Sequence, residues 1–304
     1  MADISSFPHV VDLEFLGRPG LIATGVVGTS VGVLLVDPGP TSCLGRLDRA
    51  LAGLGIGSRD LHGVLLTHIH LDHAGAAGTM VGRHPHLRVF VHERGAPHLI
   101  DPARLLASAR RLYGADMDRL WGEFAPVPAA NVHVPSDGDV LTFGDIGIDV
   151  ACTRGHASHH VCYRDRHSGI VYAGDTGGIR VGPSAYVLPP TPPPDIDVPA
   201  WQASIDRIRA WNPAGVFVTH FGLYRDPGVH LAALSRELEA WERLTGEILS
   251  SDTDDASRSR RFVEAATARI RERVTPGEVE AYRDAMSLED CWTGLARYWQ
   301  KKSQ

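Results

Sequence analysis

Thr67-His68-Ile69-His70-Leu71-Asp72-His73-Ala74-Gly75 is the stretch from which the rest of the chain can be read. Three histidines and one carboxylate fall within six residues, directly after the apolar run Gly63-Val64-Leu65-Leu66. Such a run reads as a buried strand that ends at Thr67. His68 and His70 are two apart, so near-extended backbone sets both imidazoles on one side. Asp72 and His73 follow where the chain must turn before the small-residue segment Ala74-Gly75-Ala76-Ala77-Gly78. One short loop therefore offers ligands in two directions, and two for one metal with two for a neighbour is its simplest use. Neutral imidazole and carboxylate suit zinc, and also iron or manganese. The bland alternative is a solvated, histidine-rich loop, but chance rarely stacks four potential ligands at a strand end.

His68-x-His70-x-Asp72-His73 resembles the HxHxDH signature of the metallo-β-lactamase superfamily. Later motifs follow in that family's order. They are His156 in Thr153-Arg154-Gly155-His156-Ala157-Ser158-His159-His160, Asp175 in Tyr172-Ala173-Gly174-Asp175-Thr176, and His220 in Val216-Phe217-Val218-Thr219-His220-Phe221-Gly222. Each lies at or just past an apolar, β-rich run, and the four ligand motifs together span residues 68 to 220.

The resemblance implies an α+β fold: a four-layer αββα sandwich of two β-rich halves with the metal site between them. Periodicity alone gives only mixed α and β. The resemblance also implies that His68, His70 and His156 hold one metal, that Asp72, His73 and His220 hold the other, and that Asp175 bridges them. Asp72 and Asp175 are the carboxylates expected to carry the chemistry. Two zinc ions, with iron or manganese as alternatives, would bind a water between them and lower its pKa. The resulting hydroxide would attack a thioester or ester carbonyl. No serine or cysteine nucleophile is required, so Ser158 is read as supporting. Asp37 and Asp60 are candidates to orient ligand histidines, with surface exposure the competing reading.

Within the superfamily, a bridging Asp175 argues against a true β-lactamase and fits the glyoxalase II-like, lactonase-like and phosphodiesterase-like branches. Glyoxalase II also carries a helical region after the last ligand, so the expectation is a hydroxyacylglutathione hydrolase-like enzyme. Lactonase-like relatives often carry tyrosine three residues past the bridging aspartate, where this chain has Gly178. The alternatives are a lactonase, a phosphodiesterase, or a metal-binding regulatory protein without turnover. His159 stands where glycine is common and Arg154 where proline is common; these departures bear on loop geometry beside the ligand. His160 matches a histidine that many relatives share.

Composition agrees with such a reading. The chain has 304 residues, 43% apolar and 22% charged, ordinary for a soluble globular protein. A formal net charge of −6 supplies no basic footprint for nucleic acid, so a small-molecule substrate is expected. Cys43, Cys152, Cys162 and Cys291 form no CxxC pair and read as free thiols. No signal peptide and no membrane-spanning stretch are seen, so a cytoplasmic location is the default expectation.

In chain order, Val10–Leu16, Leu21–Val27 and Ser30–Val36 read as three antiparallel strands. Leu44, Leu47, Leu51 and Leu54 are spaced for a helix. Residues 93–131 read as an insertion, helical to about 125. There Asp101-Pro102 opens a helix with Leu105, Leu106, Ala109, Leu112 and Tyr113 on one side. It either covers the active-site face or is a structural crossover. Residues 132 to 173 are β again. Seven prolines between 183 and 199 suggest a stiff loop near the site mouth. Residues 1–228 are expected to form the catalytic domain and 229–304 a helical extension. The extension has stripes at Leu231/Leu234/Leu238/Trp241/Leu244, Phe262/Ala266/Ile270 and Leu288/Trp292/Leu295/Trp299. A polar break falls at Ser250–Ser259 and a capping box at Thr275-Pro276-Gly277-Glu278. The apolar faces need covering by the core or by the partner of a homodimer. The extension is expected to shape the substrate entrance, with Phe221 and Tyr224 lining the boundary.

Overall fold

The computed structural model describes residues 8–251 and 254–302, in which twelve strands form two six-stranded sheets. The first sheet follows chain order: β1 (His9–Asp12), β2 (Ala23–Thr29), β3 (Gly32–Val36), β4 (Leu61–Leu65), β5 (Arg88–Phe90) and β6 (Val132–His133). β1 to β3 are antiparallel, and β3 to β6 run parallel. Parallel neighbours need crossovers, and helices supply them. α1 (Leu44–Gly53) joins β3 to β4, and α2 (Leu71–Ala74) with α3 (Ala77–Arg83) joins β4 to β5. α4 (Ala96–Ile100), α5 (Ala103–Tyr113) and α6 (Met117–Trp121) join β5 to β6.

The second sheet has the order β12-β11-β10-β9-β8-β7. Its strands are β7 (Val140–Phe143), β8 (Ile146–Cys152), β9 (Val161–Asp165), β10 (Ile170–Tyr172), β11 (Gly215–Val218) and β12 (Gly222–Tyr224). Its one parallel pair, β10 and β11, is bridged by α7 (Val198–Ala210). α8 (Pro227–Leu249), α9 (Asp255–Arg271), α10 (Pro276–Ala285) and α11 (Leu288–Lys302) close the chain.

Strand alternation builds the layers. In β3, Val33 and Leu35 pack with Leu44, Leu47 and Leu51 of α1, while Leu34 and Val36 pack with Ile148, Val150 and Tyr163 of the other sheet. In β11, Phe217 faces the inter-sheet core, while Val216 and Val218 join Trp201, Leu234 and Trp241 from the helices outside. Period-2 side chains thus cover both faces of each sheet and give the expected helix–sheet–sheet–helix sandwich. The C-terminal stripes are covered within the chain: Phe262, Trp292 and Leu295 share one buried cluster with α7, α8 and the second sheet. Truncating a wholly buried tryptophan such as Trp292 would cost about 3–5 kcal/mol. The capping box forms, with Glu278 accepting from the backbone N–H of Thr275 at 2.8 Å. α11 docks on the proline segment through Gly294, where a Cβ would lie 2.0 Å from the Thr191 carbonyl oxygen.

Several local expectations are corrected. The strand read over Val10–Leu16 stops at Asp12, whose carboxylate accepts from the backbone N–H groups of Glu14 and Gly20 and so folds the chain back. Phe15–Gly17 is a 3-10 turn. The break read at Ser250–Ser259 is shorter, because Asp254 caps α9 by accepting from the Ser257 N–H at 2.9 Å. Residues 252 and 253 of that break lie outside the described residues. Residues 93–131 combine both expectations, since α4 to α6 are the β5–β6 crossover and α5 and α6 also wall a cavity. On the apolar side of α5, Ala109 is buried while Leu112 is 49% exposed.

Candidate metal centre

The ends of β4, β8, β10 and β11 meet at one edge of the sandwich, and every predicted ligand hangs from that edge. His68 and His70 follow β4, Asp72 and His73 lie in α2, and His156 is in the β8–β9 loop. Asp175 sits in the 3-10 turn Gly174–Gly177, and His220 follows β11. Gly174 has φ +46°, and a Cβ there would meet the Thr67 hydroxyl oxygen at 2.4 Å. Glycine therefore lets the Asp175 turn press against the end of β4.

Two donor groups result. Ligand atoms of His68, His70, His156 and Asp175 lie within 4.8 Å of one another, and so do those of Asp72, His73 and His220. His156 Nε2 is 3.2 Å from His70 Nδ1, and His220 Nε2 is 3.2 Å from Asp72 Oδ2. Asp175 joins the groups, with Oδ2 at 3.4 Å from His156 Nε2 and Oδ1 at 3.3 Å from His73 Nε2. Ligand atoms held tetrahedrally at zinc distances would be about 3.3 Å apart. His68 Nε2, His73 Nε2 and Asp175 Oδ1 are buried without any hydrogen-bond partner. Buried polar atoms are normally paired, so these orphans in a nitrogen–oxygen donor set fit a cation.

The outward nitrogens of four of the five rings, those of His68, His73, His156 and His220, are each fixed by a partner. His156 Nδ1–H donates to the Pro190 carbonyl at 2.9 Å, and His220 Nδ1–H donates to the Leu21 carbonyl at 2.8 Å. His73 Nδ1–H donates to Asp37 Oδ2 at 2.8 Å. Asp37 is wholly buried and also accepts from the Thr67 backbone N–H, the Thr67 hydroxyl and the Thr219 hydroxyl, at 2.8, 2.7 and 2.8 Å. The Thr67 hydroxyl proton points at Asp37, so its oxygen accepts from His68 Nδ1 at 3.2 Å. Asp37 is thus the hub that ties β3, β4 and β11 to two ligand rings. Asp60 is exposed and accepts from the Gly57 N–H. His160 is buried beside the site, its Nδ1 at 3.0 Å from Thr153 Oγ1 and its Nε2 accepting from the Thr176 N–H. Ser158 donates to Asp195 at 2.6 Å.

Electrostatics divide the cluster. Burial together with neighbouring imidazoles holds His68 well below its ordinary pKa and brings His70 to about 4; burial also lowers His156. These three rings are neutral at pH 7 and keep lone pairs for a cation. Burial opposes charge on Asp72 and Asp175, yet the imidazoles around them prevail, bringing Asp72 to about 2 and Asp175 well below the carboxylate range. Against the same desolvation, the carboxylates raise His73 and His220.

A cavity of about 600 Å³ opens onto His70, Asp72, Asp175 and His220. Its walls come from Phe15–Ile22, from α5 and α6, from Pro192–Asp195, and from the α10–α11 junction at Asp284–Asp290. The proline loop therefore lies at the site, as expected. The extension contributes less than expected: only that junction and the adjoining turn of α11 reach the cavity, because α8 and α9 cover the second sheet instead. Phe221 and Tyr224 do not line it; the Tyr224 ring lies tilted against His230 with centroids 5.4 Å apart, and its hydroxyl donates to the Arg180 carbonyl. The sequence reading missed Thr67 and Thr219, for which the available signal was a threonine directly before a strand-end histidine. It also missed Phe15 and Trp121, which no local pattern marks.

A profile of the Metallo-beta-lactamase superfamily matches residues 17–220. A hydroxyacylglutathione hydrolase from Aeromonas hydrophila subsp. hydrophila is 29% identical over 143 residues, 47% of this chain and 41% of that protein. An atrochrysone carboxyl ACP thioesterase from Aspergillus fumigatus is 26% identical over 190 residues, 58% of this chain and 50% of that protein. The chain thus spans half or less of the length of these curated relatives. Among solved structures, a metallo-beta-lactamase family protein from Thermus thermophilus superposes with TM-score 0.66 at 19% identity, covering 98% of this chain and 93% of that one. A superfamily protein from Sulfolobus tokodaii gives 0.59 at 20% identity, covering 84% and 95%. Both show a shared fold.

Proposed function

This chain belongs to the metallo-β-lactamase superfamily, and on that footing we propose that it is a binuclear metal-dependent hydrolase acting on a thioester or ester, hydroxyacylglutathione hydrolase-like in its chemistry. The observation that carries the reading is Asp175, whose two oxygens face two separate donor groups at the floor of a cavity. His68, His70 and His156 would hold one cation and Asp72, His73 and His220 the second, with Asp175 shared. Zinc suits these donors best, with iron or manganese as substitutes. Such a pair, when bound, supplies Lewis acidity toward a carbonyl oxygen and lowers the pKa of water.

The chain's own residues do the rest. Asp37 holds His73 in one tautomer and fixes its direction. The Pro190 and Leu21 carbonyls do the same for His156 and His220. The cavity walls orient a small-molecule substrate over the donors and exclude water around it. Residues 1–228 are assigned to the catalytic domain and 229–304 to the extension. None of the described helices is long and apolar enough to cross a membrane. Four free cysteines suit a reducing, cytoplasmic setting.

The test is turnover of metal-analysed protein on a panel of thioesters, lactones and phosphodiesters. The expected result is two transition-metal ions per chain and thioester or ester hydrolysis that a chelator abolishes and added metal restores. Full metal content with turnover confined to phosphodiesters, or absent altogether, would overturn the proposal.

A further inference from the structure

Resting on the hydrolase reading above, we propose that the cavity selects substrates with a bulky apolar acyl group, held against a wall that the Phe15 turn, α5 and α6 build beside the metal ligands. A carbonyl reacting over the donor cluster carries two substituents, the acyl group and the leaving group, and both must leave the floor along the cavity. One wall is apolar. Phe15 and Trp121 stack at 5.5 Å with ring planes 15° apart, and Tyr113 meets Trp121 edge-on at 5.1 Å. Ala109, buried on α5, lines the same cavity with no more than a methyl group. The rest of the lining mixes apolar side chains such as Ile69, Leu71 and Met286 with charges of both signs, Arg94 and Asp195 among them, and offers a leaving group polar partners that the aromatic wall lacks.

Two further observations point the same way. Leu16 and Leu112 line this cavity yet are 45% and 49% exposed. Large apolar side chains left open at a concave site gain burial only when an apolar ligand covers them. A cavity of about 600 Å³ also far exceeds the needs of a two- or three-carbon acyl group. A small hydroxyacyl group would leave the aromatic wall wet and would draw no binding from it.

The experiment compares acetyl, lactoyl, benzoyl and decanoyl thioesters of one thiol, N-acetylcysteamine, on the metal-loaded protein. Binding of the non-hydrolysable S-ethyl and S-decyl thioethers, in which a methylene replaces the carbonyl, is followed in parallel by tryptophan fluorescence, with and without metal. Each methylene buried is worth roughly a fourfold gain in affinity, so kcat/KM should favour decanoyl over acetyl, and thioether affinity decyl over ethyl, by at least about tenfold. Ala109→Phe, which fills the space, and Leu112→Glu, at an exposed position that folding tolerates, should each collapse that ratio in both assays. Equal or better hydrolysis of the acetyl and lactoyl thioesters would overturn the pocket assignment while leaving the hydrolase reading intact. Retained preference for the S-decyl thioether without hydrolysis of any thioester or ester would overturn the hydrolase reading and leave the pocket assigned. Two variants that fold and keep the wild-type ratio would also overturn it.

Discussion

Replacing Asp37 by asparagine removes one charge and almost no volume, and the structure indicates how much that should cost. The carboxylate is wholly buried and accepts four hydrogen bonds, one at Oδ1 from the Thr67 N–H and three at Oδ2 from Thr67, His73 and Thr219. An amide has one acceptor oxygen, so one side must present N–H to a donor. The less damaging flip sets the amide nitrogen against the Thr67 N–H, leaving a single buried conflict worth about 1–3 kcal/mol. The three bonds at the other oxygen then lose their charge assistance, which brings the expected loss to roughly 3 kcal/mol in all. Backbone strain adds nothing, because Asp37 has φ 50° and asparagine tolerates that region. Since His73 loses its anchor, metal affinity should fall by about 10–100-fold. Urea unfolding of metal-free protein reads the first quantity, and chelator competition on loaded protein reads the second. The exposed Asp60→Asn is the control and should stay within about 0.5 kcal/mol of wild type. If D37N matched that control in both assays, the hub assigned to Asp37 would be wrong.

Asp175→Ala should lower turnover by orders of magnitude and reduce bound metal, seen by elemental analysis; near-wild-type turnover with full metal would remove its bridging role. Glu278 titrates below the usual range: desolvation opposes its charge, but hydrogen bonds from Thr275 and Ser184 outweigh it. A depressed carboxylate stabilises the fold above its unfolded pKa and loses that contribution as pH falls through the folded value. Glu278→Gln should therefore cost about 1 kcal/mol at pH 7 and progressively less as pH falls below the ordinary glutamate range, measured by urea unfolding across that range. A difference that does not shrink on acidification would refute it. Gly294→Ala should be strongly destabilising, because its Cβ would lie 2.0 Å from the Thr191 carbonyl oxygen, and an unchanged thermal midpoint would show that α11 is not packed this way.

The seven donor-type residues were legible because each motif is local: a strand ends, and a histidine or aspartate follows. The strands were legible for the same reason, since alternation such as Val33, Leu34, Leu35, Val36 is written in neighbouring residues. So was the capping box at Thr275–Glu278, whose bonds close within four residues. Asp37 and Asp60 show where that legibility stops. As single aspartates in the chain they are equivalent, yet one is buried under two threonines and a histidine and the other caps an exposed turn. Thr219 reaches Asp37 across 182 positions, and only the docking of one sheet on the other brings them together. The cavity wall has the same origin. Helical spacing placed Ala109, Leu112 and Tyr113 on one side of α5, but spacing says nothing of what stands opposite. Opposite stands Phe15, from a turn that the sequence suggested was strand. The C-terminal stripes likewise announced buried faces without saying what they would cover. They cover the second sheet and leave only one junction for the entrance, because their apolar faces pack with Trp201, Val216 and Val218 on the outer side of that sheet.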